Sequence, residues 1–144
     1  SNLSNWTSNT TITTVTEQYT ELTQPSSTTS ATYLNIRIPF TCKICFDIYQ
    51  MGGTTSNYFF RIDNMGWNGY FGGDGLGWID GNLNEWVPVE ITFQDKEIYT
   101  KNLDTGTVHQ DTTTAPSNLT EPIFRFWMGP NRTIRFKNFC VVEL

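Results

Sequence analysis

The strict alternation of Phe40, Cys42, Ile44, Phe46 and Ile48 leaves this chain the least freedom. Apolar side chains at every second position fit a β-strand with one face buried, because successive strand side chains point to opposite faces. A helix would scatter the same five residues around its circumference. The pattern recurs where Val87, Val89, Ile91 and Phe93 interleave with Trp86, Pro88, Glu90 and Thr92. Further strands are expected over 10–16, 32–38, 58–62, 97–103, 107–110, 122–128 and 133–143. Turn residues punctuate them, as in Asp80-Gly81-Asn82, Asp104-Thr105-Gly106 and Gly129-Pro130-Asn131. Nothing shows a helical period, and no internal repeat of blade or solenoid length is present. About ten to a dozen short strands at this spacing predict an all-β sandwich or barrel. At 144 residues the chain fits one domain, 1–144, able to bury a core of its own.

The stretch from Phe59 to Asp80 is of another kind. Trp67, Tyr70, Phe71 and Trp78 alternate there with Gly66, Gly69, Gly72, Gly73, Gly75 and Gly77. Glycine at this density excludes a helix, at about 1 kcal/mol per position relative to alanine. In a strand it marks bulges and bends. Short, sharply turned segments holding flat rings beside amides and carboxylates are expected. That is the chemistry of a sugar site: pyranose C–H patches stack on aromatics, and hydroxyls need paired donors and acceptors. Trp67, Tyr70 and Trp78 are the candidate platform, with Trp127, which lies in the other register from Phe126. Asn64, Asn68, Asp74 and Asp80 are the polar candidates, and Arg61 is a forked donor. The plainer readings are that the rings pack inward and that the Asn and Asp residues cap turns. Phe124, Phe126, Phe136 and Phe139 are expected in the core, since phenylalanine has no polar handle.

Net charge is −5 with no Lys/Arg cluster, which argues against nucleic acid and anionic membrane as partners. No apolar run has the length of a membrane span. The chain is expected to be part of a larger assembly, and in a module of a longer exported chain a leader would lie elsewhere. Three cysteines make no closed disulfide framework. Cys42 and Cys45 form a C-x-x-C, but on a strand they point to opposite faces, and His109 is the only histidine. Buried free thiols, or a Cys42–Cys140 bridge, are expected rather than a metal or redox centre.

Three segments carry a resemblance. The run Trp86-Val87-Pro88-Val89-Glu90-Ile91-Thr92-Phe93, a turn and Lys96-Glu97-Ile98-Tyr99-Thr100 resembles a hairpin of concanavalin A-like, laminin-G-type jelly rolls. The tail Ile134-Arg135-Phe136-Lys137-Asn138-Phe139-Cys140-Val141-Val142 resembles their closing strand, and Asn2-Leu3-Ser4-Asn5-Trp6-Thr7 their short first strand. The resemblance implies two facing antiparallel sheets, with ligand on a concave face or at a loop-bearing rim, and it implies a core position for Trp86. Carbohydrate-binding modules, lectins, adhesin domains and phage-tail modules belong to this group. Jelly rolls of this class also bind calcium at a rim. Asp74, Asp80 and Asn82 offer oxygens, though their spacing matches no calcium loop. No cofactor is expected, with structural calcium the one alternative.

Glycoside hydrolysis needs two carboxylates about 5–10 Å apart, and no strand carries alternating acids. The expectation is therefore a non-catalytic module, extracellular or on a virion, that recognises cell-surface or cell-wall polysaccharide. The alternatives are a structural or protein-interaction domain of an adhesin or phage tail and, behind it, a glycoside hydrolase.

Overall fold

The computed structural model describes residues 12–15, 17–24, 31–51, 60–63, 83–94, 97–112, 122–128 and 132–144. Its regular structure there is entirely β. The strands are β1 (Ile12–Val15), β2 (Thr20–Gln24), β3 (Ala31–Arg37), β4 (Cys42–Met51), β5 (Phe60–Asp63), β6 (Trp86–Gln94), β7 (Glu97–Asn102), β8 (Val108–Thr112), β9 (Ile123–Met128) and β10 (Arg132–Glu143). Seven form one sheet in the order β1-β2-β10-β4-β6-β7-β8, and three form another in the order β3-β9-β5. Every pairing is antiparallel. The protein is a two-sheet antiparallel sandwich, as the alternation predicts.

Alternation along β4 becomes alternation in space. Cys42, Ile44, Phe46, Ile48 and Gln50 are buried, and the residues between them are half-buried. Register aligns like with like. Ile44 lies opposite Ile91, Phe46 opposite Val89 and Ile48 opposite Val87. On the other flank Phe136 lies opposite Ile48. Phe124 and Phe126 of β9 close the core from the smaller sheet, with ring centroids 6.0 and 5.3 Å from Phe46. Phe126 stacks on Phe136 at 5.0 Å. Each such side chain contributes about 1.5–3 kcal/mol when fully buried.

The last strand carries a bulge. From Thr133 opposite Met51 to Lys137 opposite Asp47 the β10–β4 ladder is regular, and continued unchanged it would set Cys140 against Ile44. Instead Cys140 lies opposite Cys45. One extra residue has been inserted, and Asn138 takes it up in the left-handed region at φ 56°. Asparagine visits this region more readily than other residues with a side chain. The slip reverses which residues face inward. Arg132, Ile134 and Phe136 are buried before it; beyond it Phe139 and Val141 pack on the core and Cys140 is exposed.

The turn expected at Asp104-Thr105-Gly106 is present. Asn102 Oδ1 accepts from the backbone N–H groups of Asp104 (2.9 Å) and Thr105 (3.3 Å), and Gly106 takes the positive φ of 77° that closes it.

Three expectations need correction. Phe40 is 52% exposed and outside β4: the ladder ends at Cys42, opposite Phe93 and Glu143, so no neighbouring strand covers the residue beyond. Strand β2 was not foreseen, because Leu22 is its only apolar residue. Its place comes from pairing with β10, which buries Thr20 and Leu22. The Cys42–Cys140 bridge is absent, and all three thiols are free. Cys42 points into the core while Cys140 points out, so the sheet itself lies between them.

Candidate functional site

With the Val87–Phe93 face of β6 in the core, the opposite face of the seven-stranded sheet collects everything that alternates with it. Across β2, β10, β4 and β6, four residues face one another in a single rung: Glu21, Arg135, Tyr49 and Trp86. The next rung holds Lys137, Asp47 and Pro88, and Tyr19 immediately precedes β2. These side chains are half-buried, neither sealed in the core nor loose in solvent.

The rings form one cluster. Trp86 lies 5.5 Å from Tyr49 and 6.3 Å from Tyr19, centroid to centroid, both tilted. Cations sit over the rings. The Arg135 guanidinium is 4.6 Å from the Tyr19 ring and 5.6 Å from that of Tyr49, and Lys137 Nζ is 4.1 Å from that of Trp86. Contacts of this kind are worth about 0.5–1 kcal/mol at exposed sites. Arg135 Nε donates to Glu21 Oε1 at 2.9 Å, and this bond raises the arginine's pKa above its ordinary value. Asn138 Nδ2 donates to Asp47 Oδ2 at 2.8 Å, so the bulge residue belongs to the same surface. Thr23 and Thr133 share a hydroxyl hydrogen bond at 3.3 Å.

Asp47 and Glu90 also come together here. Asp47 faces Pro88 and Cys45 faces Glu90, so the two carboxylates are diagonal neighbours on one face. Each has a partner: Asn138 for Asp47, and Lys43 for Glu90 at 3.5 Å. Alternation along a single strand could not reveal this pair, because strand pairing creates it. Beneath the Tyr49–Arg135 rung, at the Met51 end of β4, the inner face turns polar, with Gln50 and Arg132 buried diagonally to each other. Burial lowers the Arg132 pKa to about 10.

The arrangement offers flat rings, two cationic groups, carboxylates and an amide within a few strands. Such a surface can stack on apolar ring faces while donating to and accepting from hydroxyls or anionic groups. Among the described residues no group of three or more His, Cys, Asp or Glu is placed to hold a metal ion.

The sequence-predicted site lies elsewhere. Asn64, Trp67, Asn68, Tyr70, Asp74, Trp78 and Asp80, together with Asn82, fall outside the described residues. Arg61 is on β5 and Trp127 on β9, both in the three-stranded sheet. Trp86, expected in the core, is a correction: it is half-buried on the outer face. Four residues of β6, Val87, Val89, Ile91 and Phe93, outcompete it for the interior, and strand parity then turns the indole outward. The sequence signal was there, since Trp86 shares a register with Glu90 and Thr92. Tyr19, Tyr49, Arg135 and Lys137 were missed because their convergence depends on β2, β10, β4 and β6 being neighbours.

No family model matches the chain, and no curated protein matches it in sequence. Solved structures do. A sialidase superposes with a TM-score of 0.66 at 14% identity, covering 99% of this chain and 17% of its own. A functionally unknown protein from Saccharomyces cerevisiae superposes at 0.58 and 8% identity, covering 99% and 98%. An alginate lyase from Zobellia galactanivorans superposes at 0.53 and 10% identity, covering 96% and 86%. This chain thus spans about a sixth of the sialidase chain but most of the other two. At these identities the likeness shows the fold, a jelly-roll β-sandwich; the concanavalin A-like assignment is narrower than these neighbours carry. The expectation of a chain without catalysis is overturned, because two of the neighbours are enzymes by name. Their low identity does not by itself establish catalysis in this one.

Proposed function

We propose that the outer face of the seven-stranded sheet binds a saccharide. The observation that carries this reading is the cluster of Tyr19, Tyr49 and Trp86, with Arg135 and Lys137 over the rings and Asp47 and Asn138 beside them. Aromatic faces hold the C–H side of a pyranose, and the charged and amide groups order its hydroxyls. The neighbours support a sugar-related role, since one is named a sialidase and another an alginate lyase. The cations favour a saccharide bearing carboxylate or sulfate groups. We further propose that the fold is of the concanavalin A-like type, that the module works outside the cell within a larger assembly, and that the glycine-rich stretch holding Trp67, Tyr70 and Trp78 adds to the same recognition.

The test is a glycan array followed by titration of the purified chain against the best acidic and neutral hits. Trp86→Ala should weaken binding about tenfold, the equivalent of about 1.4 kcal/mol of stacking. Tyr49→Ala should act in the same direction. No binding by the folded parent, or binding indifferent to both variants, defeats the reading.

A second reading, glycoside cleavage on this face, is favoured by the diagonal pair Asp47 and Glu90. Two carboxylates across a scissile bond are what acid–base cleavage requires. Turnover of polysaccharide hits that is abolished by Asp47→Asn and Glu90→Gln would establish it. Turnover unaffected by both, or none at all, would remove it.

A further inference from the structure

We propose that Cys45 and Cys140 are a disulfide pair: on exposure to a disulfide oxidant they close a cross-strand bridge between β4 and β10 on the outer face of the large sheet. The register places them directly opposite each other. In an antiparallel ladder opposing Cα atoms are about 4.5 or 5.5 Å apart, and both spacings fall within the range of about 4.4–6.8 Å that a disulfide spans. The two thiols are close enough that Cys140 helps raise the Cys45 pKa. The juxtaposition depends on the bulge at Asn138, since a regular ladder would have put Ile44 opposite Cys140. The other pairings are ruled out by direction. Cys42 is buried on the inner face, with Glu143 opposite it. Cys42 and Cys45, three apart on one strand, diverge.

Exposure sets the order of events. Cys140 is exposed and Cys45 half-buried. Burial, the neighbouring Cys140 and Glu90 push the Cys45 thiol up to about 11, with Lys43 opposing them. The Cys140 thiol gives its proton to solvent, and its thiolate attacks one sulfur of a low-molecular-weight disulfide. The S–S bond of the oxidant breaks, and the first small thiolate leaves and takes up a proton. Cys45, deprotonated in turn, attacks the Cys140 sulfur of the mixed disulfide. The bridge forms and the second small thiol is released. Two protein thiols are oxidised by two electrons and one small disulfide is reduced to two thiols.

The bridge would lie one rung from Lys137 and Asp47 and tie together two central strands whose cysteines are far apart in sequence. Closing so long a loop restricts mainly the unfolded chain. This inference is independent of the saccharide reading.

The experiment uses the whole chain, reduced and then equilibrated in glutathione buffers of increasing oxidised fraction. Alkylation, intact mass and non-reducing peptide mapping read the products. The expected result is loss of two hydrogens, one remaining alkylatable thiol at Cys42, and a single linked peptide pair joining Cys45 to Cys140. The oxidised form should melt higher by on the order of 10 °C, and Cys45→Ala and Cys140→Ala should each abolish that rise while melting close to the reduced parent. Glutathione retained on Cys140 without closure, disulfide-linked dimers through Cys140, or a linked pair containing Cys42 would each overturn the proposal.

Discussion

Replacing Asn138 by valine tests the feature on which much of the outer surface depends. Asn138 holds φ at 56°, where a residue with a side chain is strained by about 1–2 kcal/mol. Asparagine tolerates the region, whereas a β-branched residue meets the full penalty. Valine also loses the 2.8 Å hydrogen bond to Asp47, worth about 0.5–1.5 kcal/mol net. The sum is about 1.5–3.5 kcal/mol. Unfolding entropy of about 2.1 cal/mol/K per residue, over 144 residues, comes to about 0.3 kcal/mol/K, so Asn138→Val should lower the melting temperature by about 5–12 °C. Asn138→Gly separates the two terms. Glycine adopts this φ freely and loses only the exposed hydrogen bond, so its melting temperature should stay within about 5 °C of the parent. Calorimetry on the reduced proteins reads both values. If valine melts like the parent, or glycine falls as far as valine, the left-handed bulge is not what sets the register of the last strand.

Other predictions follow from burial. Phe46→Ala removes a ring whose centroid lies within 6.1 Å of those of three other phenylalanines and should destabilise by about 3–5 kcal/mol in denaturant titration, while the exposed Phe40→Ala stays within about 0.5 kcal/mol. Stability of the reduced protein should fall as pH rises from about 9 to about 11. The Cys42 and Cys45 thiols ionise near 9.0 when unfolded but are pushed to about 11 in the fold, chiefly by burial. Within that window the unfolded chain has released protons that the folded chain keeps, so deprotonation favours unfolding; below it the effect vanishes. Denaturant midpoints at about pH 8 and about pH 10.5 measure this, and Cys42→Ala should flatten the slope. Lys137→Met keeps the stem over Trp86 but removes the charge. It should lower affinity for acidic glycans more than for neutral ones, and equal losses would remove the charge from the binding argument.

Much of the architecture was legible because strand parity is a local property. Phe46 and Val89 declare their faces through their own neighbours in sequence, and Gly106 and Asp104 mark a turn by their own backbone preferences. Parity also held the answer for Trp86: once Val87 and Val89 are inside, Trp86 must be outside. What resisted was anything set by which strands lie side by side. Leu22 alone could not announce β2, and Phe40 continued the alternation past the point where its partners stop.

The amino-acid order therefore determined the class of fold, the inward face of β4 and β6, and the aromatic and polar materials from which a site can be made. Tertiary structure alone decided that Glu21, Arg135, Tyr49 and Trp86 share a rung and that Cys140 meets Cys45 rather than Cys42. The reason is physical. Side-chain direction along a strand follows from covalent geometry, residue by residue. Lateral neighbours follow from pairing between segments as distant as β2 and β10, and a single left-handed residue at Asn138 is enough to change every contact beyond it.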